Sequence, residues 1–214
     1  MHEVLEHIAA NGVVAILRGF EPARIAPLGK ALLAAGVGAI EVTMNSNGAL
    51  DGIKALRIEL GGAIPVGAGT VMDGEAARRA VAAGAEFLLA PHLEEDMLAA
   101  AIALGVPAVV GTMTPTEAVR AHSLGAEMVK VFPAGTLGAN YFRELRGPLP
   151  HIRTMAVGGV NAGNAGDFIR AGATAVGAGS QLVDQAAVAR GDWEAVRRKA
   201  IEMVAAVSMA VKSG

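Results

Sequence analysis

The chain contains no cysteine. That excludes disulfides, thiolate catalysis and cysteine-ligated zinc. Neither sign of charge dominates, with a formal net charge of -2, so no basic footprint for nucleic acid is present. No linker, charge block or low-complexity tract interrupts it, and residues 1–214 are expected to form a single domain. The five histidines, His2, His7, His92, His122 and His151, show no metal-ligand spacing, and no metal is expected. His2 and His7 read as surface helix residues. The opening "MHEVLEHIAANG" lacks the basic and apolar regions of a signal peptide, and a cytoplasmic enzyme is the expected class.

One uncharged run, "MLAAAIALGVPAVVGTMTPT" (Met97 to Thr116), has about the length a bilayer requires. Gly105 and Pro107 cut it in the middle. It reads as a helix followed by a short strand, not as a membrane span.

Hydrophobic residues make up 53% of the chain, enough to bury elements on both faces. Short apolar runs alternate with longer Ala/Leu/Glu/Arg-rich segments. The runs are "VVAILR" from Val13, "AIEVT" from Ala39, "IPVGAG" from Ile64 and "EFLLAP" from Glu86. Then come "PAVVGT" from Pro107, "EMVKVFP" from Glu127, "RTMAVGG" from Arg153 and "ATAVGAGS" from Ala173. Helix patterns lie between them, such as "EPARIAPLGKALLAAG" stopping at Gly36 and "GEAARRAVAAG" stopping at Gly84. Eight strand–helix units in one domain of this length fit an α/β fold, a (β/α)8 TIM barrel. An open doubly wound sheet is the runner-up. The first segment is expected to be an extra N-terminal helix, and the stretch from Trp193 a closing helix.

In such a barrel the chemistry sits where the strands end. Arg18, Glu41, Thr43, Thr70, Pro91, His92, Thr112 and Thr114 fall there, with Lys130 inside the sixth run and Gly158, Gly159, Gly179 and Ser180 closing the last two. Glu86, Glu127 and Arg153 begin strands, at the opposite face, and are expected to be solvated. Met44 and Met113 are expected to pack.

Lys130 stands between Val129 and Val131. Desolvation disfavours its ammonium form, and a neutral amine can form a Schiff base with a carbonyl. Glu41 could then move protons, and Arg18 could hold a carboxylate through its planar fork. A structural ion pair between Lys130 and Glu41 is the alternative, although burying one gives little net stability. The ends "AVGGVNAGN" and "VGAGSQL" could let backbone N–H groups approach a phosphate, with the Ser180 hydroxyl added. Ordinary turn glycines explain either motif alone; the two together favour phosphate. "GAGTV" (Gly67 to Val71) reads locally as a tight turn, and Gly135 as the residue that lets the loop after "KVFP" turn. On these residues alone three classes remain open: an imine-forming aldolase, another phosphate-binding barrel enzyme, and a non-catalytic binder of a sugar acid.

Taken together, "LRG", "EVT", "GAGTV", "APHL", "KVFPA", "GGV" and "GAGS" resemble, in order and spacing, the class I 2-dehydro-3-deoxy-6-phosphoaldonate aldolases that act on gluconate or galactonate epimers. The resemblance runs from about Val13 to about Val183. It implies an (α/β)8 barrel, commonly a homotrimer, without metal or organic cofactor. Lys130 would be the Schiff-base lysine and Glu41 the general acid/base. Arg18 and Thr70 would hold the pyruvate carboxylate, Pro91 would line the site, and Gly158, Gly159, Gly179 and Ser180 would bind phosphate. The implied reaction is reversible cleavage of the phosphorylated sugar acid to pyruvate and glyceraldehyde 3-phosphate. Asn45 and Ser46 resemble the "NS" of galactonate-type members. Val157 stands where gluconate-type members tend to carry threonine, and valine cannot hydrogen-bond the C4 hydroxyl. "MTPTE" and "RGPLPHI" resemble some gluconate-type members. The balance favours the galactonate epimer, with cleavage of the gluconate epimer or of both epimers as the alternative.

Overall fold

The computed structural model describes residues 1–212. Eight parallel strands close on themselves in sequence order: β1 (Val13–Leu17), β2 (Ala39–Thr43), β3 (Val66–Gly69), β4 (Leu88–Leu89), β5 (Ala108–Thr112), β6 (Met128–Val131), β7 (Arg153–Val157) and β8 (Ala175–Ala178), with β8 pairing back to β1. The helices are α1 (Glu3–Asn11), α2 (Pro22–Ala34), α3 (Ala49–Leu60), α4 (Gly74–Ala82), α5 (Glu95–Ala103), α6 (Pro115–Ser123), α7 (Ala134–Leu137), α8 (Ala139–Arg146), α9 (Ala165–Arg170), α10 (Gln185–Arg190) and α11 (Trp193–Lys212). This is the (β/α)8 barrel, with the N-terminal helix preceding it; the open sheet is excluded by the β1–β8 ladder.

Period-two alternation divides the core. Val14, Phe87, Leu89, Val109, Met128 and Met155 point into the barrel, and the alternate residues pack under the helices. Leu5 and Ile8 of α1 join the interior cluster and are fully buried. Each such side chain stabilises by about 1.5–3 kcal/mol, so α1 is a plug for the N-terminal end of the barrel. The plug begins at His2, whose Nδ1 accepts the Val4 N–H, and stops at Gly12, which is left-handed at φ 73°. His2 is therefore a helix cap and His7 is half-buried with a buried Nε2; neither is the free surface residue expected.

The uncharged stretch from Met97 divides into α5 and β5, and no helix among the described residues is long and apolar enough to cross a membrane. Glu127 and Arg153 are exposed, as expected, but Glu86 is half-buried. It pairs with Arg57 and accepts the Val66 N–H at 3.0 Å, tying α3 to the start of β3. Thr114 caps α6: it receives the Glu117 N–H while Glu117 accepts from the Thr114 N–H. Its hydroxyl serves the helix.

Candidate active site

The register carries Glu41 and Lys130 to the same end of the barrel lumen. Glu41 lies two residues before the end of β2 beside Gly67, and Lys130 lies one residue before the end of β6 beside Gly111. They are among the few buried polar residues, 1% and 6% exposed respectively. Burial pushes the Lys130 amine below its ordinary range, opposed by the Glu41 charge and reinforced by Arg18. Burial pushes the Glu41 carboxyl up, opposed by Lys130 and then by Arg18. No salt bridge joins the two residues, and Glu41 Oε2 has no hydrogen-bond partner. The structural ion pair is thus not formed. Lys130 Nζ lies instead 5.2 Å from the centroid of the Phe132 ring.

Both groups open into a cavity of about 280 Å³. Arg18, Glu41, Thr70, Pro91 and Lys130 line one part; Val157, Gly158, Gly159, Gly179 and Ser180 line the rest. Arg18 Nη2 donates to Thr70 Oγ1 at 3.3 Å. Thr70, at φ 55°, is the single non-glycine residue with positive φ among the described residues. That conformation is costly for a β-branched side chain, and such strain concentrates at functional sites.

Asn45, Ser46 and His92 do not line the cavity. Asn45 is exposed. Ser46 Oγ is shared between Thr43 Oγ1 and the Gly19 N–H, both at 2.9 Å, so it ties the loop after β2 to the loop after β1. His92 turns to Glu94 at 3.0 Å. Thr112 donates its hydroxyl to the Lys130 carbonyl at 3.4 Å and supports the strand that carries the amine.

Three polar or aromatic liners escape the pattern of strand ends: Phe20, Gln181 and Gln185. They lie in loops or at a helix start, where sequence periodicity says nothing about direction. Gln185 Nε2 donates to the Arg18 carbonyl at 3.3 Å. With the Ser46 bond to the next amide, it clamps the backbone on both sides of the Arg18–Gly19 peptide.

The glycine ends are closely packed. A Cβ on Gly158 would meet the Phe132 ring at 2.9 Å. Gly135 donates its N–H to the Gly158 carbonyl at 2.7 Å, and a Cβ there would lie 3.0 Å from the Gly159 Cα. Gly135 is required for this close approach, with no positive φ, which corrects its reading as a turn residue. Asn164 braces the loop after β7, donating to the Gly159 carbonyl at 3.0 Å and accepting the Asn161 N–H at 2.8 Å. The Ser180 hydroxyl has no protein partner among the described residues and is exposed at the rim.

An amine shifted down and a carboxyl shifted up, facing one small cavity, suit nucleophilic attack on a carbonyl together with proton transfer. Arg18 and Thr70 offer donors for an anionic end of a ligand, and the glycine ends offer close backbone approach for another.

Known proteins point the same way. A family model, "KDPG and KHG aldolase", matches residues 4–199. A 2-dehydro-3-deoxy-phosphogluconate aldolase of Pseudoalteromonas atlantica is 34% identical over 180 residues, covering 84% of this chain and 83% of its own. A 2-dehydro-3-deoxy-6-phosphogalactonate aldolase of Escherichia coli is 33% identical over 171 residues, covering 79% and 83%. Among solved structures, a KDPG aldolase from Legionella pneumophila, with pyruvate captured as a covalent carbinolamine intermediate, is 25% identical with a TM-score of 0.87, over 94% of this chain and 98% of that one.

Proposed function

The chain belongs to the KDPG and KHG aldolase family, whose members are carbon–carbon lyases, and from that premise we propose that Lys130 and Glu41 carry a Schiff-base cleavage of 2-dehydro-3-deoxy-6-phospho-D-galactonate. The class of activity, KDPG/KDPGal-type class I aldol cleavage, follows from the family. The observation that supports the two residues is a buried lysine with no salt bridge sharing a cavity with a carboxyl whose Oε2 is unpartnered.

The steps use these two groups in turn. The neutral Lys130 amine attacks the C2 carbonyl carbon, and a proton passes from nitrogen to oxygen to give a carbinolamine. The protonated Glu41 carboxyl gives its proton to the departing hydroxyl, and water leaves an iminium. The Glu41 carboxylate then takes the C4 hydroxyl proton while the C3–C4 bond breaks. The electron pair of that bond enters the enamine, and glyceraldehyde 3-phosphate departs. Glu41 returns the proton to C3, and water releases pyruvate and the free amine. Arg18 and Thr70 hold the carboxylate beside C2, Pro91 lines that part of the site, and the Gly158, Gly159, Gly179 and Ser180 ends hold the phosphate. No metal or organic cofactor is used in these steps. We propose a cytoplasmic location, in keeping with a phosphorylated substrate of this kind.

Val157 supports the galactonate epimer. It is 4% exposed and lines the cavity between Lys130 and the glycine ends, offering no hydrogen bond to a C4 hydroxyl. Asn45 and Ser46 lend no support, because neither reaches the cavity. Wild type is expected to cleave the galactonate epimer with the higher kcat/KM. Val157→Thr is expected to move the ratio toward the gluconate epimer by about 3–10-fold, the worth of one hydrogen bond. Coupling both epimers to pyruvate detection checks this, and faster gluconate cleavage by wild type rejects the choice of epimer.

We also propose a homotrimer, the assembly the resemblance implies. Ile102, Leu104, Val119 and Leu124 are 54%, 42%, 43% and 37% exposed around α5 and α6. Ile102 and Leu124 share one surface hollow; adjoining apolar exposure of this kind marks an interface, and closed symmetry is the usual solution. Light scattering is expected to give a mass near three times 21.6 kDa. Ile102→Asp with Leu124→Asp is expected to lower it to one copy; a monomeric wild type rejects the trimer.

A further inference from the structure

We propose that Gly69 is a positioning residue for Glu41: the missing side chain at 69 is the space the carboxyl occupies. This rests on the reading of Glu41 as the proton-transfer group. A Cβ built on Gly69 would lie 1.5 Å from Glu41 Oε1, 2.2 Å from its Cδ and 2.7 Å from its Cγ. Conformation does not explain the glycine, because Gly69 ends β3 with φ outside the left-handed region. Its backbone suits any residue, and only the space beside it is special.

The same strand repeats the device one pleat earlier. A Cβ on Gly67 would lie 2.5 to 2.6 Å from the Phe87 ring. β3 therefore sends no side chain into the lumen. Its lower hollow is filled by an aromatic ring that seals the barrel, and its upper hollow by the carboxyl. "GAGT" is two fitted spaces followed by the strained threonine.

The two spaces differ in what a methyl group would displace. Phe87 is fully buried among interior residues and has little room to move. Glu41 ends in a flexible carboxyl beside the open cavity, so a methyl at 69 would displace it toward the substrate's place. Gly69→Ala should thus fold but hold Glu41 in the wrong position, and small misplacements of a reacting group are costly.

The test is a double-mutant cycle of wild type, Gly69→Ala, Glu41→Ala and the double variant, with kcat, pyruvate–borohydride adduct and thermal midpoint measured for each. Gly69→Ala is expected to lower kcat by about 100-fold or more while Lys130 still forms the adduct. In the Glu41→Ala background the same substitution is expected to cost nothing further. A Gly69→Ala kcat within about threefold of wild type overturns the proposal, as does an equal loss in both backgrounds, which would mean the methyl acts elsewhere. Should Gly69→Ala not fold, Glu41→Ala is expected to restore folding, and a double variant that also fails to fold overturns it. Wild-type kcat in Glu41→Ala overturns the underlying reading of Glu41; a disabled Glu41→Ala with an active Gly69→Ala overturns this proposal alone.

Discussion

Lys130→Met is expected to lower kcat by about 10⁴-fold or more and to yield no adduct when pyruvate and borohydride are added. The magnitude follows from what is lost. No other lysine lines the cavity, so the imine route closes and leaves only binding and proton transfer. The same variant is expected to melt higher at neutral pH. Burial lowers the folded-state pKa of Lys130 below its ordinary value of 10.5, so the unfolded chain binds this proton more readily. The group's contribution to stability is then fully present above the unfolded value and is lost as pH falls through the folded one. Methionine has no proton to gain, and its unbranched chain suits the lumen space beside Met155, its neighbour on β7. The rise is expected at neutral pH and to shrink as pH approaches 10.5. Intact mass and scanning calorimetry check the two halves. An adduct that survives in Lys130→Met rejects the nucleophile, and a variant that melts below wild type rejects the burial cost.

That proposed trade between stability and chemistry is why the two buried charges at the centre of the candidate site were legible in the sequence. A charge inside an apolar strand violates the burial rule, and such violations gather at functional sites. Lys130 and Glu41 both stand out for that reason, and alternation of strands and helices then says which end of the barrel they share. The rest is less legible for definite reasons. Asn45 and Ser46 follow a strand end, yet the loop uses the Ser46 hydroxyl for its own backbone and leaves Asn45 outside the cavity. Glu86 begins a strand at the face expected to be solvated, but Arg57 comes from α3 to meet it, a contact across the chain that no local pattern contains. Glycine is the most ambiguous letter. Gly12 is required for a left-handed turn, whereas Gly67, Gly69 and Gly135 are required for space. A sequence distinguishes the two uses only when the neighbour that fills the space is known.

Glu41→Gln is expected to lower kcat by about 10²–10⁴-fold, the usual worth of a positioned proton-transfer group. Glutamine keeps the shape beside Gly69 but carries no transferable proton at the required step. Exchange of the pyruvate methyl protons with solvent deuterium isolates that step, since it needs only the enamine and a proton donor. Exchange is expected to fall with kcat, and exchange at the wild-type rate in Glu41→Gln would reject Glu41 as the donor. The pH profile separates the roles further. Attack needs Lys130 neutral and Glu41 protonated, so wild-type activity is bell-shaped, with both limbs belonging to the coupled pair. Removing the carboxyl is expected to leave one limb, the residual activity rising as Lys130 loses its proton. The stability signature runs opposite to that of Lys130→Met. Burial raises the folded-state pKa of Glu41 above its ordinary 4.5, so its contribution is fully present below that value and is lost as pH rises through the folded one. The melting advantage of Glu41→Gln should therefore open as pH rises above 4.5, while that of Lys130→Met closes as pH rises toward 10.5. Two variants of one site that diverge in this way under one titration would show that the cavity holds both groups against their charged forms, as the proposed chemistry requires.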